Sequence, residues 1–195
     1  MKNEMTAIFI HGLDSSSHGT KASWFRQNFP EMMLSDFKGS FSERMEQLQF
    51  LTAGHEDLIM IGSSFGGLMA AAFALERPWQ VKRLILLAPA LNFPEFADYP
   101  ASACTVPTLI YLARRDTVCP PFEVLPAACR RFTNLAIHQA DEDHQLRKTF
   151  ASIDWEALLA DAHPACLLEP QDQESLPGIH PNAVGSAATL KQQQL

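Results

Sequence analysis

The chain has 195 residues, enough for one domain with a substantial apolar core. Hydrophobic residues make up 47% of it and charged residues 19%, which is typical of a folded globular protein and argues against intrinsic disorder. The formal net charge of −7 argues against nucleic acid or an anionic membrane surface as a partner, because both are negatively charged. No apolar run approaches the roughly 20 residues of a membrane span.

The remaining composition favours a cytoplasmic protein without a metal site. Residues 1–11 contain only a short apolar stretch and no small-residue cleavage site, so we expect no secretory leader. The four cysteines form no C-x-x-C pair, and reduced thiols are expected. The seven histidines are scattered without metal-ligand spacing, so no metal site is predicted. Nothing in the sequence indicates the oligomeric state.

Short apolar runs alternate along the chain with segments of helical period. This alternation predicts an α/β fold in which a mostly parallel, twisted sheet carries helices on both faces. In chain order, the predicted strands are 7–10, 32–34, 58–61, 84–87, 108–112 and 135–137, of which the second and the last are the weaker predictions.

Helices are predicted between these strands. Ser40 and Glu43 have the spacing of a capping box at the start of the first helix. A second apolar stripe over 65–73 and a third over 146–157 predict two further helices. Three prolines within 116–132 argue against a long helix in that segment.

The composition changes after about residue 163. The last stretch is rich in Gln, Pro, Ser and Ala and has few large apolar residues. We therefore predict one folded domain over residues 1–163 and a poorly ordered tail over 164–195.

Residues 62–66, Gly-Ser-Ser-Phe-Gly, match the motif G-x-S-x-G with Ser64 at its centre. The motif alone is weakly specific, but here it follows a predicted strand directly and opens a helix at Phe65. That strand–turn–helix setting is the one in which a nucleophilic serine is exposed at the end of a sheet. We interpret Ser64 as a nucleophile, whereas a tight turn without chemistry is the alternative. Ser63, in the variable second position, is expected to point away.

A serine nucleophile needs a base, and the base needs an acid that orients it. Asp116 comes after the predicted strand 108–112, and His144 comes after the predicted strand 135–137. Both residues therefore follow the carboxyl ends of strands, where open α/β sheets build their sites. Ser64, Asp116 and His144 are the predicted catalytic residues.

Alternatives to this acid and this base stay open. Asp98 and Glu95, in the stretch after strand 84–87, are the next candidates for the acid. His138 is another histidine downstream of Asp116, but we expect it to lie within a strand.

A His-Gly pair, His11-Gly12, ends the first strong strand. Such a pair commonly precedes an oxyanion loop, so the backbone N–H groups of Leu13 and Phe65 are the expected donors to a developing oxyanion. His11 itself is expected to brace the loop.

These motifs together resemble the α/β-hydrolase superfamily over residues 6–161. The first loop, His-Gly-Leu-Asp-Ser-Ser followed by Lys21-Ala22, is similar to that of the small YqiA-like bacterial esterases. Two positions depart from the superfamily pattern, because Ala113 and Asp143 stand where members often have glycine.

The resemblance implies a serine hydrolase that cleaves a small-molecule ester or thioester through an acyl-enzyme, without a cofactor. A peptidase or a lipase is less expected, since the former usually brings a further binding domain and the latter a lid. The other interpretation is a catalytically silent binding or scaffold protein with the same fold.

The segment 90–106 is too short for a large lid, so a minimal fold with an open, shallow site is expected. The apolar wall of this site is predicted to consist of Leu91, Phe93, Phe96 and Tyr99. The same four residues could equally be ordinary anchors that pack the loop onto the core.

Overall fold

A six-stranded sheet, in which every pair of neighbouring strands runs parallel, forms the centre of the molecule. The computed structural model describes residues 6–99 and 101–160, so the predicted tail over 164–195 lies outside the described residues. The strand order is β2-β1-β3-β4-β5-β6. In chain order the strands are β1 (Ala7–Ile10), β2 (Met33–Leu34), β3 (Leu58–Ser63), β4 (Val81–Leu87), β5 (Thr108–Ala113) and β6 (Leu135–Ala140). The predicted fold class is confirmed.

Helices cover both faces of this sheet. In chain order they are α1 (Thr20–Asn28), α2 (Phe41–Leu51), α3 (Phe65–Glu76), α4 (Pro94–Ala97), α5 (Pro121–Cys129), α6 (Arg147–Ser152) and α7 (Trp155–Leu159). A short 3₁₀ turn, Pro78–Gln80, precedes β4. Among the described helices, none has the length and apolar character that crossing a bilayer requires.

The core has two halves because successive residues of a strand point to opposite faces. In β3, Leu58 and Met60 join one buried cluster with residues of α2, α3 and α5. Ile59 and Ile61 join the other cluster with residues of α1, α6 and α7. Strands buried on both faces have no polar alternation, which is why continuous apolar runs predicted them.

The centre of one half is α3, whose first ten residues are all buried. A helix that is apolar all round lies inside a protein rather than on its surface. A side-chain carbon placed on Gly67 would lie 2.7 Å from Cβ of Pro89, so glycine allows this helix to approach the segment after β4.

The predicted capping box at the start of α2 is confirmed. The Ser40 side chain accepts a hydrogen bond from the Glu43 N–H, and the Glu43 carboxylate accepts one from the Ser40 N–H at 2.7 Å. These bonds satisfy amide groups that a helix start otherwise leaves unpaired.

The third predicted helix is instead two helices. The chain is extended at Ile153, and Asp154 begins α7 by accepting a hydrogen bond from the Ala157 N–H at 2.9 Å. As a result Ala157 is exposed, whereas Trp155 and Leu158 are buried. The start of α7 is therefore set by the side-chain cap of Asp154 and not by the spacing of the apolar residues.

Besides the four-residue helix α4, two longer helices form where the sequence predicted none. The first, α1, buries only Ala22 and Phe25, too few apolar residues for a clear stripe. The second, α5, starts at Pro121, a position where a missing N–H costs nothing. Pro126 lies inside this nine-residue helix, where it cannot donate a hydrogen bond to the Phe122 carbonyl.

We predict that Phe73→Ala in α3 strongly destabilises the fold, whereas Phe50→Ala in α2 does not. Phe73 is fully buried and Phe50 is 87% exposed. Removing the buried ring leaves a cavity, which should lower the free energy of unfolding by about 3–5 kcal/mol. The exposed ring should contribute within about 0.5 kcal/mol. Urea denaturation of both variants beside the wild type measures the difference, and equal losses would contradict the burial of α3.

Candidate active site

Ser64 occupies a sharp turn between β3 and α3. Its φ of 55° and ψ of −119° are unusual for a residue with a side chain. The Ser64 N–H donates to the Leu87 carbonyl at 2.9 Å, and the Ser64 carbonyl accepts from the Ala90 N–H at 3.0 Å. Such a conformation costs about 1–3 kcal/mol and persists only where its surroundings hold it. The end of β4 and the segment just after it supply that support.

Glycines on both sides of Ser64 let backbone segments meet. A side-chain carbon on Gly62 would lie 2.4 Å from the Gly66 carbonyl oxygen. One on Gly66 would lie 2.1 Å from the carbonyl oxygen of Ile10, at the end of β1. No side chain fits in either place, which explains the small residues of the motif.

The turn brings the Ser64 hydroxyl to His144 and, through it, to Asp116. The Ser64 Oγ lies 2.9 Å from Nε2 of His144, and Nδ1 of the same ring lies 2.7 Å from Oδ2 of Asp116. In this arrangement the hydroxyl donates to Nε2, and the Nδ1–H donates to the carboxylate. The three residues come from the ends of β3, β5 and β6, so the sheet assembles them at one edge.

The Asp116 carboxylate is held rigidly. Its side chain is 1% exposed, and Oδ1 accepts hydrogen bonds from the N–H groups of Val118 at 2.9 Å and Cys119 at 2.8 Å. With Oδ1 occupied by the backbone, Oδ2 is left for the imidazole. The His144 side chain is 19% exposed, so the ring remains reachable from solvent.

His144 lies in a tight turn after β6. The Asp143 carboxylate accepts from the Gln145 N–H at 3.0 Å, and the buried Leu146 adopts a left-handed conformation with φ 49°. On the far side, the Glu142 carboxylate accepts from the Thr149 N–H at 2.8 Å. Burial alone would raise the pKa of Glu142, but hydrogen bonds from Thr149 and Lys148 outweigh this effect and hold the pKa below its usual value.

The loop after β1 passes directly beside the serine. A side-chain carbon on Gly12 would lie 3.3 Å from Cβ of Ser64. The buried His11 braces this loop, since its Nδ1 donates to the Gly12 carbonyl at 2.8 Å and its Nε2 accepts from the Phe37 N–H at 3.0 Å. Both ring nitrogens of His11 are therefore occupied by backbone groups.

The backbone N–H groups of Phe65 and Leu13 have no backbone acceptor within the described residues. Phe65 is the first residue of α3, where an N–H group has no acceptor within the helix. The Leu13 N–H donates to no backbone carbonyl of the described residues. These are the two donors that the sequence predicts for an oxyanion.

Comparison with known proteins agrees with this architecture. Residues 8–100 match the model of the family described as serine aminopeptidase, S33. Mouse α/β-hydrolase domain-containing protein 10 superposes with a TM-score of 0.61 at 17% identity, covering 80% of this chain and 90% of its own. The chain has the fold of the α/β-hydrolase superfamily.

Other solved structures share this α/β-hydrolase fold. An esterase from Pyrococcus furiosus gives a TM-score of 0.62 at 17% identity and covers 80% of this chain and 81% of its own. Est1E from Butyrivibrio proteoclasticus, solved with ferulic acid bound, gives 0.62 at 16% identity and covers 78% of this chain and 88% of its own. No curated protein sequence matches the chain. The similarity to YqiA-like esterases stays a prediction.

The alternative acids and the alternative histidine lie elsewhere in the α/β-hydrolase fold. Glu95 and Asp98 line a cavity of about 230 Å³ with Phe41 and Tyr99, and neither is hydrogen-bonded to His144 within the described part of the chain. His138 lies within β6 as expected, stacked on the Tyr111 ring at 5.2 Å. Burial there lowers the pKa of His138.

Two residues of the predicted apolar wall, Leu91 and Phe96, are buried in the core. Loop anchoring, the alternative that the sequence left open, accounts for the burial of both side chains, and their part in a site wall stays a prediction. Tyr99 packs on the same cluster, and its hydroxyl donates to Glu76 at 2.6 Å. Tyr99 also lines the cavity of about 230 Å³ with Phe41. An apolar residue after a strand can fill the core as readily as it can line a cleft.

The buried Arg131 fastens this loop further. Its guanidinium lies 4.5 Å from the Phe96 ring centroid and donates to the carbonyl oxygens of Phe96 at 3.0 Å and of Tyr99. These bonds satisfy carbonyl groups at the end of the short helix α4.

Three side chains surround Phe65, the residue after the serine. Phe93, from the predicted wall, packs against its ring at 6.0 Å, and so does Phe41 from α2. Arg44, only 7% exposed, lies 5.5 Å from the same ring centroid. The sequence did not predict Phe41 or Arg44 as site residues, although both lie in the first turn of α2, which follows the carboxyl end of β2.

The Cys119 thiol lies beside Asp116 and His144, with potential ligand atoms of the three residues within 4.8 Å of one another. Metal binding needs a thiolate, however, and a free carboxylate and imidazole. Burial, with smaller contributions from Asp116 and Glu123, raises the pKa of Cys119 to about 12. The carboxylate and the ring are bonded to each other. This donor set does not suit a metal ion.

We predict that iodoacetamide at pH 8 alkylates Cys129 in the folded protein and leaves Cys119 unmodified. Cys129 is exposed, whereas Cys119 is buried and almost wholly protonated at that pH. Peptide mass spectrometry measures the modification, and the same reaction in urea should label both. Labelling of Cys119 in the native state at the rate of Cys129 would contradict the packing around Asp116.

Proposed function

We propose that this protein is a serine hydrolase that cleaves a carboxylic ester or thioester of a small molecule through an acyl-enzyme. The observation that carries the proposal is the continuous hydrogen-bonded path from the Ser64 hydroxyl through His144 to the buried Asp116 carboxylate. A serine at a strained helix start, a base within 2.9 Å and an oriented acid are the parts that nucleophilic catalysis needs.

In the acylation half of the reaction, the Ser64 Oγ attacks the substrate carbonyl carbon while its proton passes to Nε2 of His144. The carbonyl oxygen becomes an oxyanion, which the N–H groups of Leu13 and Phe65 stabilise. Asp116 stabilises the imidazolium that forms. When the tetrahedral intermediate collapses, the C–O or C–S bond breaks and His144 gives its proton to the leaving group.

Deacylation repeats these steps with water in place of the serine. His144 accepts a proton from the water as it attacks the acyl carbon, and then returns it to Ser64 as the acid leaves. Every proton movement uses one imidazole, so the cycle needs no cofactor. Each oxyanion donor is worth about 3 kcal/mol in the transition state of such enzymes.

The choice among ester, thioester and amide bonds is a question of leaving group. The Pyrococcus furiosus neighbour is an esterase by name, which supports an ester as the bond to test first. The family match over residues 8–100 names an aminopeptidase, which makes an amide the comparison to include. An assay that compares the oxygen ester, the thioester and the anilide of one acyl group would rank the three bonds by kcat/KM.

We predict that an active-site-directed fluorophosphonate labels the wild type and the Ser63→Ala variant, but not Ser64→Ala. Of these two adjacent serines, Ser64 is the one hydrogen-bonded to a base, and Ser63 is the matched neighbour. Turnover of p-nitrophenyl acetate should fall by about six orders of magnitude in Ser64→Ala, as triad knock-outs do in subtilisin. Gel fluorescence and a spectrophotometric assay measure the two effects. Full activity in Ser64→Ala overturns the proposal, and an unlabelled, inactive wild type supports a silent binding protein instead.

We further predict that Asp116→Asn lowers kcat by about 10⁴-fold with little change in stability. Asparagine can still accept from the N–H groups of Val118 and Cys119, but it places an NH₂ group opposite Nδ1 of His144. The ring would then carry its proton on Nε2 and could not accept from Ser64, which is the wrong-tautomer effect. Asp98→Asn, in the alternative acid, is the control. Equal losses in the two variants would contradict the role of Asp116.

A further inference from the structure

Lys21 connects the loop of His144 to the opposite side of the site. It lies in the first turn of α1, the helix that follows the loop carrying Gly12 and Leu13. Its Nζ donates to the backbone carbonyl of Gln145 at 2.7 Å, across 124 positions of sequence. Gln145 is the residue directly after His144. The proposed reaction assigns no part to Lys21.

The surroundings of Lys21 are unusual for a lysine. Burial, reinforced by Arg147, lowers its pKa, while Asp143 and Glu142 act in the opposite direction. The ammonium lies 5.8 Å from the Phe150 ring centroid. A lysine near the surface normally keeps its charged end in water. Here the contact with Gln145 holds that end in a partly desolvated position.

Other parts of the loop have anchors of their own. Arg115, in the loop of Asp116, pairs with the Asp141 carboxylate at 3.0 Å and donates to the Asp141 carbonyl at 2.8 Å. Glu142 is bonded to the start of α6. These contacts hold the residues before His144, whereas Lys21 holds the carbonyl group of Gln145, the residue after His144.

We propose that Lys21 is a positioning residue, which clamps the Gln145 carbonyl to α1 and so keeps Nε2 of His144 within hydrogen-bonding distance of Ser64. The inference rests on the proposed function, since it concerns the same imidazole. Misplacement of a catalytic group by about 1 Å can lower a rate by about a hundredfold. A contact that fixes the backbone beside the base can therefore control kcat without touching the substrate.

The test separates positioning from simple structural support. Gln145 is exposed, so water can take over its carbonyl when Lys21 is replaced, and Lys21→Met also removes a partly desolvated charge. We expect Lys21→Met to lower kcat about ten- to a hundredfold, with KM within about twofold and an unchanged or higher melting temperature. Lys21→Arg keeps a charged donor and should recover most of the lost kcat. Steady-state kinetics on a p-nitrophenyl ester and thermal unfolding measure these effects.

Lys148→Met is the matched control, because it removes the same charge from an exposed lysine next to the same loop without a bond to Gln145. A kcat within twofold of the wild type in Lys21→Met overturns the inference. An equal loss of kcat in Lys148→Met also overturns it. So does a loss of kcat in Lys21→Met that comes with a lower melting temperature and is not recovered in Lys21→Arg. A wild type without Ser64-dependent activity would instead be a failure of the proposed function.

Discussion

The turn between β3 and α3 forces a strand, a helix and the ends of two neighbouring strands into backbone contact. Ser64 takes a positive φ there, and two hydrogen bonds hold it, one to Leu87 at the end of β4 and one from Ala90 in the segment that follows. Gly66 lets the helix touch the end of β1. The strain at this one residue is thus offset by packing that extends through the middle of the sheet. Local flexibility at Ser64 would lose both the close approach and the direction of the hydroxyl.

The parallel sheet explains how distant residues come together. Ser64 and His144 are 80 positions apart in sequence, and His144 and Asp116 are 28 apart, yet all three follow strands that end at the same edge. Each residue is carried by its own strand, so the distances depend on strand register rather than on any one loop. The loops supply the last adjustment, as the hydrogen bonds to Oδ1 of Asp116 illustrate.

Sequence patterns predicted the elements whose cause is local or strongly apolar. The buried strands, the capping box at Ser40 and the turn at Ser64 each follow from a few adjacent residues. What could not be predicted depends on tertiary contacts. The cap at Asp154 divides one apolar stripe into two helices, and Leu91 and Phe96 fill the core although they stand in a loop. The Arg44 contact with Phe65 needs two elements that only the fold places together.

The anchoring of the loop after β4 has a consequence for substrate selection. Arg131 ties the backbone around Phe96 and Tyr99 to the body of the protein, and Phe96 itself is part of the core. A segment fastened in this way cannot swing over a bound molecule as a hinged cover does. For the proposed reaction, this leaves substrate selection to the fixed aromatic side chains around Phe65, such as Phe93 and Phe41, and not to a movement of this segment.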